Sequence, residues 1–327
     1  MIESPKKIKL YTYNLKTKYP LPVLGNTSTS RKGFLLIQEI SNGYKIGEAA
    51  PLPSFHKTTF STIQRELTEF IHSPERKMNN HYHSVSLFAI DMLNIERCSN
   101  SKYVRTINTL YREGMSQQDI QNFQSIKLKV GRDGITKDLE NIQDILNKNP
   151  NIQIRLDANC LWSFEDTLIF WDHILQKDLQ NSIEYIEDPV QDSYHLSYLS
   201  EIPLALDSLF SISKSEELLA YDPVAIILKP TLQGGFFKVK KYQEHIYKKN
   251  INTQIVISST FESSIGIAAL MKLSGHRMIH GLGTLQYFCP PKHDLIMPSI
   301  QQDRDQLILF DRIYTDEDIR WDLLEEV

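Results

Sequence analysis

The sequence predicts an α/β fold in which a smaller α+β unit precedes a barrel of about eight parallel strands. After Ser99, short apolar segments alternate with amphipathic ones, which is typical of successive βα units and a parallel sheet. Before Ser99, predicted strands come first and predicted helices follow, and this order indicates an α+β unit. The 327 residues are enough to bury the cores of both units.

The N-terminal unit, assigned to residues 1–98, opens with antiparallel sheet. Its segments are rich in Leu, Ile, Tyr and Phe, and Asn42-Gly43 is a strong hairpin signal between two of them. Apolar residues then recur at helical spacing. The predicted strands are Ile8–Tyr13, Gly33–Glu39 and Tyr44–Ala49, and the predicted helices are Ser61–His72 and His83–Arg97.

The barrel unit, assigned to residues 99–300, alternates strands with helices. The predicted strands are Val104–Tyr111, Ser125–Val130, Gln153–Asp157, Ile183–Glu187, Leu204–Asp207, Ala225–Lys229, Gln254–Ser259 and Met278–Leu285. The predicted helices are Lys137–Asn147, Phe164–Gln176, Lys214–Ala220, Phe237–Lys248 and Ser264–Leu273. The last segment, 301–327, is acidic with few candidate core positions, and we expect it to pack back on the N-terminal unit.

Composition excludes several classes of protein. The formal charge of −4 and the pI of about 6.2 provide no basic field for nucleic acid or anionic lipid. Cys98, Cys160 and Cys289 are odd in number and far apart, which predicts free thiols rather than a disulfide or zinc framework. No segment has the apolar length of a signal peptide or membrane span, so we expect a cytoplasmic protein. The oligomeric state is left open, and a monomer is compatible with the sequence.

One predicted strand carries charges that an ordinary core would not contain. Lys127 and Lys129 lie two residues apart in Ser125–Val130, so they face the same side of the strand. Burying two unpartnered ammonium groups is costly. The strand therefore either lies at an exposed edge of the sheet or contributes both lysines to a site.

Four consecutive predicted strands end in charged residues, namely Asp157, Glu187, Asp207 and Lys229. In a βα barrel, the carboxyl ends of the strands form the mouth where active sites lie. Three carboxylates there repel one another unless a cation lies between them, and oxygen ligands favour a hard divalent ion, most simply Mg²⁺. The alternative is that each carboxylate caps the helix that follows.

In strand order, Lys229 lies on the opposite side of these carboxylates from Lys127 and Lys129. Ammonium groups that face each other across a dication lower each other's pKa, which makes a lysine usable as a base near neutral pH. This arrangement favours removal of a proton α to a carboxylate, with the metal absorbing the charge that develops. The expected partner is therefore a small-molecule carboxylate substrate.

The order of these residues resembles the enolase superfamily, in its muconate-lactonising branch. The matching motifs are Lys-x-Lys at 127–129, Asp-Ala-Asn at 157–159, Glu-Asp-Pro at 187–189, Asp207 and Lys229, with Gly-Glu-Ala-Ala-Pro-Leu-Pro at 47–53. Further stretches are similar to the o-succinylbenzoate synthase family of that branch. They are Arg-Leu-Asp-Ala-Asn at 155–159, Leu-Lys-Pro-Thr-Leu at 228–232, Ile-Ser-Ser-Thr-Phe-Glu-Ser-Ser at 257–264 and Gly-Leu-Gly-Thr-Leu at 281–285.

The resemblance implies an α+β capping domain on a (β/α)7β barrel, which is a modified TIM barrel. It implies Mg²⁺, with Mn²⁺ as a substitute, held by Asp157, Glu187 and Asp207. The implied activity is syn dehydration of 2-succinyl-6-hydroxy-2,4-cyclohexadiene-1-carboxylate to o-succinylbenzoate in menaquinone biosynthesis.

The resemblance also implies roles for the remaining site residues. Lys129 would remove the α proton and then return a proton to the departing hydroxyl, while Lys229 would stabilise the enediolate and the ring. The loop at 27–33 is similar to one that closes over substrate. The implied substrate-binding residues are Lys127, Arg155, Asn159, Ser258 and Gly281.

Two other functions are kept as alternatives. A racemase or epimerase of N-acylamino acids or dipeptides uses the same lysines as opposed bases. Dipeptide epimerases usually carry Asp-x-Asp where this chain has Gly-Leu-Gly-Thr at 281–284, which argues against that variant. A non-catalytic binding barrel is disfavoured, because it would have no need of both lysines and all three carboxylates.

A few other polar residues are interpreted as structural. Cys160 is taken as a small buried hydrophobe, Asp188 as a residue that points away from the metal, and Glu262 as one that orients a loop. His276 and His280 fit no ligand pattern, and we expect ordinary surface or hydrogen-bonded histidines.

Overall fold

The computed structural model describes residues 7–21, 29–73, 81–97, 101–249, 252–288, 294–296 and 300–327. The strands are β1 Ile8–Lys16, β2 Ser30–Ile40, β3 Gly43–Ala49, β4 Ser101–Ile107, β5 Thr109–Leu110, β6 Ser125–Lys129, β7 Gln153–Asp157, β8 Ile183–Glu187, β9 Leu204–Leu206, β10 Ala225–Leu228, β11 Gln254–Ile257, β12 Ile279–His280, β13 Ile300–Asp303, β14 Gln306–Asp311 and β15 Leu324–Glu326. The helices are α1 Pro53–His56, α2 Phe60–His72, α3 Ser84–Leu93, α4 Gln117–Gln121, α5 Ile135–Lys148, α6 Phe164–Gln176, α7 Ser215–Leu219, α8 Phe236–Lys249 and α9 Ser264–Leu273. Within the described ranges, no helix combines the length and hydrophobicity that crossing a membrane requires.

The N-terminal unit is built on an antiparallel sheet with the strand order β15-β1-β2-β3. Because side chains alternate along a strand, Leu10, Phe34 and Leu36 can share one face of the sheet. They join a buried apolar cluster with Ile63 and Leu67, which lie four residues apart on one side of α2. The predicted order of strands followed by helices is therefore present.

The second unit contains a sheet of seven parallel strands in the order β11-β10-β9-β8-β7-β6-β5. Strand β6 lies inside this sheet, because Lys127 pairs with Leu110 of β5 and Lys129 pairs with Asp157 of β7. The alternative interpretation of β6 as an exposed edge is therefore wrong. Helices α6 and α9 begin and end at the predicted residues.

The first predicted barrel strand, at 104–111, is two strands in the structure. Strand β4 pairs in parallel with β12 and antiparallel with β14, whereas β5 pairs with β6. Between them, the backbone N–H of Asn108 donates to the carbonyl of His280 at 3.0 Å. The chain therefore changes partner at Asn108.

The last predicted strand, at 278–285, is also shorter than expected. Only Ile279–His280 form regular strand, and beyond them Gly281 makes a single parallel bridge with Ser258. The N–H of Gly281 donates to the carbonyl of Ile257 at 2.9 Å, and its carbonyl accepts from Ser259 at 3.0 Å. Strand β12 is thus bonded to β4 on one side and lies next to the end of β11 on the other.

The C-terminal segment contains more core than its composition suggested. The hairpin β13–β14 adds to β4, and Leu307, Leu309 and Tyr314 are fully buried. The last strand, β15, pairs with β1 of the N-terminal sheet. The expectation of few core positions is wrong because alternate residues of β14, Leu307 and Leu309, face the interior, while Gln306 and Phe310 beside them are exposed.

Two carboxylates of the N-terminal unit cap helices of the second unit. Glu48 in β3 accepts hydrogen bonds from the backbone N–H groups of Ser263 (2.9 Å) and Gly266 (2.7 Å) at the start of α9. Asp91 in α3 accepts from the N–H of Phe237 at the start of α8, at 3.2 Å. The first N–H groups of a helix lack partners within the helix, so these bonds fix α8 and α9 against the N-terminal unit.

Candidate active site

Strand register brings the predicted charged residues to one end of the parallel sheet. Lys129 pairs with Asp157, and Asp157 pairs with Glu187 on the next strand. Glu187 then pairs with Ala205, two residues before Asp207. Because side chains repeat every two residues along a strand, Asp207 faces the same side as Ala205.

A cavity of about 250 Å³ lies at this end of the sheet. Of the predicted site residues, seven line it, namely Lys127, Lys129, Asp157, Asn159, Lys229, Ser258 and Gly281. The cavity therefore brings both predicted catalytic lysines together with one predicted metal ligand and four predicted substrate-binding residues.

Lysines hold the three carboxylates as ion pairs. The Nζ of Lys127 lies 2.8 Å from Asp157 Oδ2 and 2.6 Å from Glu187 Oε2. Lys229 Nζ donates to Oδ2 of Asp207. Each carboxylate thus has an ammonium partner, which explains how three acidic side chains can lie together.

The same pairing determines the ionisation of the cluster. Burial acts to lower the pKa of Lys127, but the Asp157 and Glu187 carboxylates outweigh it and hold that pKa well above its usual range. Burial alone would raise the pKa of Asp157, whereas the ammonium groups of Lys127 and Lys129 keep it below its usual value. Burial raises the pKa of Glu187 to about 7, and repulsion by the other two carboxylates contributes to the rise.

Lys129 differs from Lys127 in its electrostatic surroundings. Burial is the largest of the effects that together lower the pKa of Lys129 to about 8; the Asp157 carboxylate opposes it, and the positive charges of Lys127, Arg132 and Lys229 add to it. An amine with this pKa is a substantial fraction neutral near physiological pH. Lys129 is therefore suited to proton transfer, and Lys127 to charge neutralisation.

The three carboxylates have the chemistry of a Mg²⁺ site. Asp157, Glu187 and Asp207 offer hard oxygen ligands, and Glu187 is only 2% exposed. Within the described part of the chain, no three His, Cys, Asp or Glu side chains are already arranged around one metal position. Instead, Lys127 and Lys229 form ion pairs with oxygens of these carboxylates. The residues fit a divalent cation in type and charge, provided that these lysines release them.

The structure gives the predicted substrate-binding residues different positions. Asn159 donates from Nδ2 to Oδ1 of Asp157 at 2.7 Å, so it orients that carboxylate at the cavity wall. Ser258 and Gly281 lie side by side, and a Cβ on Gly281 would be 2.6 Å from Ser258 Oγ. Glycine at 281 therefore keeps this part of the wall open.

Arg155, in contrast, is absent from the cavity wall. It lies two residues before Asp157 on β7, is 1% exposed, and donates from Nε and Nη2 to Glu184 at 2.7 and 2.8 Å. Its guanidinium also lies 5.0 Å from the ring centre of Tyr185. The structure therefore does not bring Arg155 to the position expected of a substrate contact, because Glu184 binds it one layer below the carboxylate cluster.

A sequence profile of the enolase C-terminal domain-like family matches residues 107–308, which is more than half of the chain. The chain belongs to the enolase superfamily. The curated o-succinylbenzoate synthase of Vibrio cholerae serotype O1 is 27% identical over 307 residues, covering 85% of this chain and 89% of that protein. The synthase of Haemophilus influenzae is 25% identical over 294 residues, covering 82% and 86%. The resemblance seen in the motifs is thus confirmed.

Solved structures of enolase-superfamily proteins share the fold. The L-Ala-D/L-Glu epimerase from Bacillus subtilis has a TM-score of 0.79 at 17% identity, covering 96% of this chain and 98% of that one. The N-succinyl Arg/Lys racemase from Bacillus cereus has a TM-score of 0.75 at 19% identity, covering 98% of both. A dipeptide epimerase from Enterococcus faecalis, complexed with Mg and L-Leu-L-Tyr, has 0.73 at 18%, covering 94% and 98%.

Several cavity residues of this enolase-superfamily chain were not identified from sequence. Leu52 and Phe55 come from the N-terminal unit, and the Phe55 ring centre lies 5.2 Å from Lys229 Nζ. Asn108 and Arg132 also line the cavity. The motif at 47–53 was the available signal for Leu52, but its contact with the cavity depends on how the two units pack.

Two of the structural interpretations can be compared with their observed contacts. Asp188 accepts from the N–H groups of Asp207 (3.0 Å) and Ser208 (2.6 Å), so it supports the loop that carries Asp207. Cys160 is partly exposed rather than buried; it lies in a turn where Asn159 and Cys160 both adopt left-handed backbone, with φ of 48° and 58°. Burial still raises the pKa of its thiol to about 11, which keeps it protonated.

Residues 30–33 of the segment expected to form a lid, 27–33, are strand in the structure. Residues 27 and 28 lie outside the described part of the chain. From Ser30 onward the chain is already strand β2, paired with β1 through Lys16. Arg31 is buried within this strand.

Proposed function

We propose that this chain is an o-succinylbenzoate synthase, which dehydrates 2-succinyl-6-hydroxy-2,4-cyclohexadiene-1-carboxylate to o-succinylbenzoate in menaquinone biosynthesis. The observation that carries the proposal is that Lys129 and Lys229 line one cavity with Asp157. The similarity to two synthases named for this reaction supports it, since it extends over more than four fifths of the chain.

The fold proposed for this enzyme is a (β/α)7β barrel covered by the N-terminal unit as an α+β capping domain. The bonds of Gly281 with Ile257 and Ser259, together with the pairing of β12 with β4, support barrel closure. The capping domain contributes Leu52 and Phe55 to the cavity. In this arrangement the strand ends supply the reacting groups, and the capping domain supplies apolar walls.

Lys129 is proposed as both base and acid. In its neutral form it takes the proton from the carbon α to the ring carboxylate and becomes an ammonium. That ammonium then gives a proton to the hydroxyl on the same face, which leaves as water while the ring becomes aromatic. Lys129 therefore returns to the neutral form in which it began. Its pKa of about 8 keeps both the neutral and the protonated form accessible.

Lys229 is proposed to remain a cation throughout. Its ammonium would stabilise the negative charge that develops on the substrate and would lie against the π system of the ring. The 5.2 Å approach to Phe55 supports this role, because the ammonium already contacts an aromatic ring. Ser258, Gly281 and Asn159 line the remaining polar wall, where the succinyl and ring carboxylates would bind.

Asp157, Glu187 and Asp207 are proposed to hold Mg²⁺ after Lys127 and Lys229 release them. When bound, Mg²⁺ supplies Lewis-acid polarisation of the substrate carboxylate and offsets the negative charge that develops on it. The Mg complex of a structurally similar dipeptide epimerase supports this choice of metal. Lys127 would then turn from the carboxylates toward the substrate's negative charge.

Racemisation of N-succinylamino acids is the second candidate. It is favoured by two lysines in one cavity, which can act as opposed bases, and by the fold shared with an N-succinyl Arg/Lys racemase. Dipeptide epimerisation is disfavoured, because the Asp-x-Asp usual in dipeptide epimerases would fall at Gly281 and Gly283. A side chain at Gly281 would meet Ser258, and one at Gly283 would meet the backbone of Asn108.

One pair of assays decides between these candidates. Purified protein with Mg²⁺ is given the cyclohexadiene substrate, and the change in absorbance from diene to aromatic ring is followed. The same preparation is given an N-succinylamino acid, and loss of optical rotation or exchange of the α proton is measured. We expect dehydration to be the faster reaction. Racemisation without dehydration would reverse the assignment, and the absence of both reactions would refute both candidate functions.

A further inference from the structure

Arg31 is a buried arginine that donates hydrogen bonds to backbone carbonyls of both the capping domain and the barrel. It is 1% exposed at the start of β2. On the capping-domain side it donates from Nη1 to the carbonyl of Pro51 at 2.7 Å and from Nη2 to that of Ala50. On the barrel side it donates from Nε to the carbonyl of Phe261 at 2.9 Å and from Nη2 to that of Thr260 at 3.3 Å.

The two pairs of carbonyls belong to two wall segments of the cavity, one from each unit. Pro51 directly precedes Leu52, and Thr260 and Phe261 are themselves wall residues. Leu52 and Phe261 also share one small apolar cluster with Tyr287. A single guanidinium therefore fixes the separation between the capping-domain wall and the barrel wall.

The capping-domain wall leads from Arg31 to a proposed catalytic group. The backbone turn after Pro51 is held by the N–H of Leu52, which donates to Nδ1 of His56 at 2.9 Å. Within this turn lies Phe55, whose ring centre is 5.2 Å from the ammonium of Lys229. A shift of Pro51 would therefore move the aromatic ring that contacts Lys229.

The barrel wall is fixed to the same group of bonds. Glu262 accepts from the N–H of Thr260 at 2.7 Å, and the hydroxyl of Thr260 lies 2.9 Å from that of Thr231, two residues after Lys229. Burial lowers the pKa of Arg31, while the nearby carboxylates of Glu262 and Glu48 oppose this effect. Nearby carboxylates thus keep the guanidinium charged without binding it directly, which leaves its donors for the two walls.

We propose that Arg31 is a positioning residue that holds Phe55 and the 258–261 segment at the separation required by Lys229 and the substrate. It touches neither substrate nor reacting atoms, and acts through the carbonyls of the two walls. Its effect on turnover rests on the proposed function, whereas its effect on the two wall segments does not.

The chain offers a matched control in Arg105. This arginine is also buried, and among the described residues it donates to two backbone carbonyls, from Nε to Met271 at 3.1 Å and from Nη1 to Val104 at 2.8 Å. It lies on β4 and does not line the cavity. Arg31→Lys and Arg105→Lys each keep the charge but replace a planar fork with a compact ammonium that cannot span two walls.

The first measurement follows backbone amide hydrogen exchange in wild type, Arg31→Lys and Arg105→Lys. We expect Arg31→Lys to speed exchange in both 52–57 and 258–263, because each segment loses a fixed point. Arg105→Lys is expected to leave these two segments unchanged. Unchanged exchange in both segments of a folded Arg31→Lys protein would overturn the proposal, whatever reaction the protein catalyses.

The second measurement is a kinetic cycle with Phe55→Leu, using whichever reaction the wild type performs. Arg31→Lys alone should lower kcat by about tenfold or more, since misplacement of about 1 Å can cost that much. In the Phe55→Leu background, Arg31→Lys should lower kcat by a markedly smaller factor, because the aromatic contact through which Arg31 affects Lys229 is already missing. Equal losses in both backgrounds, or a loss matched by Arg105→Lys, would refute the positioning role. Failure of the wild type to dehydrate the cyclohexadiene would refute only the proposed function.

Discussion

Lys127 Nζ lies 2.6 Å from Oε2 of Glu187, so a residue expected to bind metal is held by a lysine expected to bind substrate. The same ammonium lies 2.8 Å from Asp157. Lys127 therefore supplies the positive charge that lets two carboxylates lie together. A metal ion bound by these carboxylates would stabilise the same group of charges as Lys127, so each should reduce the need for the other.

Replacing Lys127 tests this relationship. Lys127→Met leaves two buried carboxylates without their partner, and we expect the free energy of unfolding in chelator to fall by about 3–5 kcal/mol. Added Mg²⁺ should restore more stability to Lys127→Met than to wild type. Urea unfolding with and without Mg²⁺ measures both effects, with Lys148→Met, which breaks a half-exposed pair with Asp144, as control. Equal Mg²⁺ responses in wild type and Lys127→Met would contradict the idea.

Removal of Lys129 should abolish chemistry and leave the fold intact. Lys129→Ala deletes the group proposed to move the proton in both steps, so we expect kcat to fall by about 10²–10⁴-fold or more. Circular dichroism checks the fold, and Lys137→Ala, which removes an exposed lysine paired with Glu113, is the control. Turnover near that of wild type by purified Lys129→Ala protein would exclude the mechanism. Lys229→Ala should behave like Lys129→Ala.

Metal binding should be detectable without an activity assay. Mg²⁺ that binds only the native state raises the melting temperature, and at 100 times Kd it adds about 2.7 kcal/mol. Glu187→Gln removes one of three proposed ligands and should remove most of that increase. Glu113→Gln, at an exposed site, is the matched control. In parallel, chelation should stop turnover, and Mg²⁺ or Mn²⁺ should restore it; full activity in protein shown by elemental analysis to be metal-free would contradict the site.

Glu48 should be worth far more stability than an ordinary carboxylate. It is fully buried and accepts from Ser263 N–H and Oγ, from Gly266 N–H, and from the Tyr13 hydroxyl. In Glu48→Gln an amide NH₂ faces these donors, so we expect a loss of about 2–4 kcal/mol in the free energy of unfolding. Urea denaturation measures it, with the exposed Glu39→Gln as reference. Losses of similar size in both variants would show that the interdomain cap contributes little.

His280 predicts a pH dependence of stability. Its Nδ1 accepts from the N–H of Ile257 at 3.1 Å, its Nε2 donates to the carbonyl of Gly275 at 2.8 Å, and burial lowers its pKa to about 4. Between the unfolded pKa of about 6.5 and this value, the folded state binds fewer protons than the unfolded state. The contribution is therefore complete above pH 6.5 and is lost as pH falls toward 4.

The comparison with His280→Asn isolates that contribution. The difference in free energy of unfolding between wild type and His280→Asn should shrink on acidification from pH 7, by at most about 1.4 kcal/mol per pH unit. The exposed His276→Asn serves as control. A difference that stays constant from pH 7 to pH 4.5 would show that His280 can be protonated in place.

The sequence by itself determined the class of fold and the charged centre of the site. Strand periodicity placed Lys127 and Lys129 on one face, and strand ends located Asp157, Glu187, Asp207 and Lys229, because both features depend on spacing along one short segment. The strand register then confirms that Lys129, Asp157 and Glu187 are neighbours. The motifs that resemble the enolase superfamily contain the same lysines and carboxylates.

Only the tertiary structure decided the partners of these residues. The break at Asn108 depends on β14, about two hundred residues later in the chain, and spacing cannot predict such a pairing. Likewise, Glu184 binds Arg155 below the cavity, and Arg31 of the N-terminal unit reaches Phe261 only because the two units pack together. Buried charges must be neutralised by whatever lies nearest in space, and nearness across strands and domains is a property of the folded chain rather than of its local pattern.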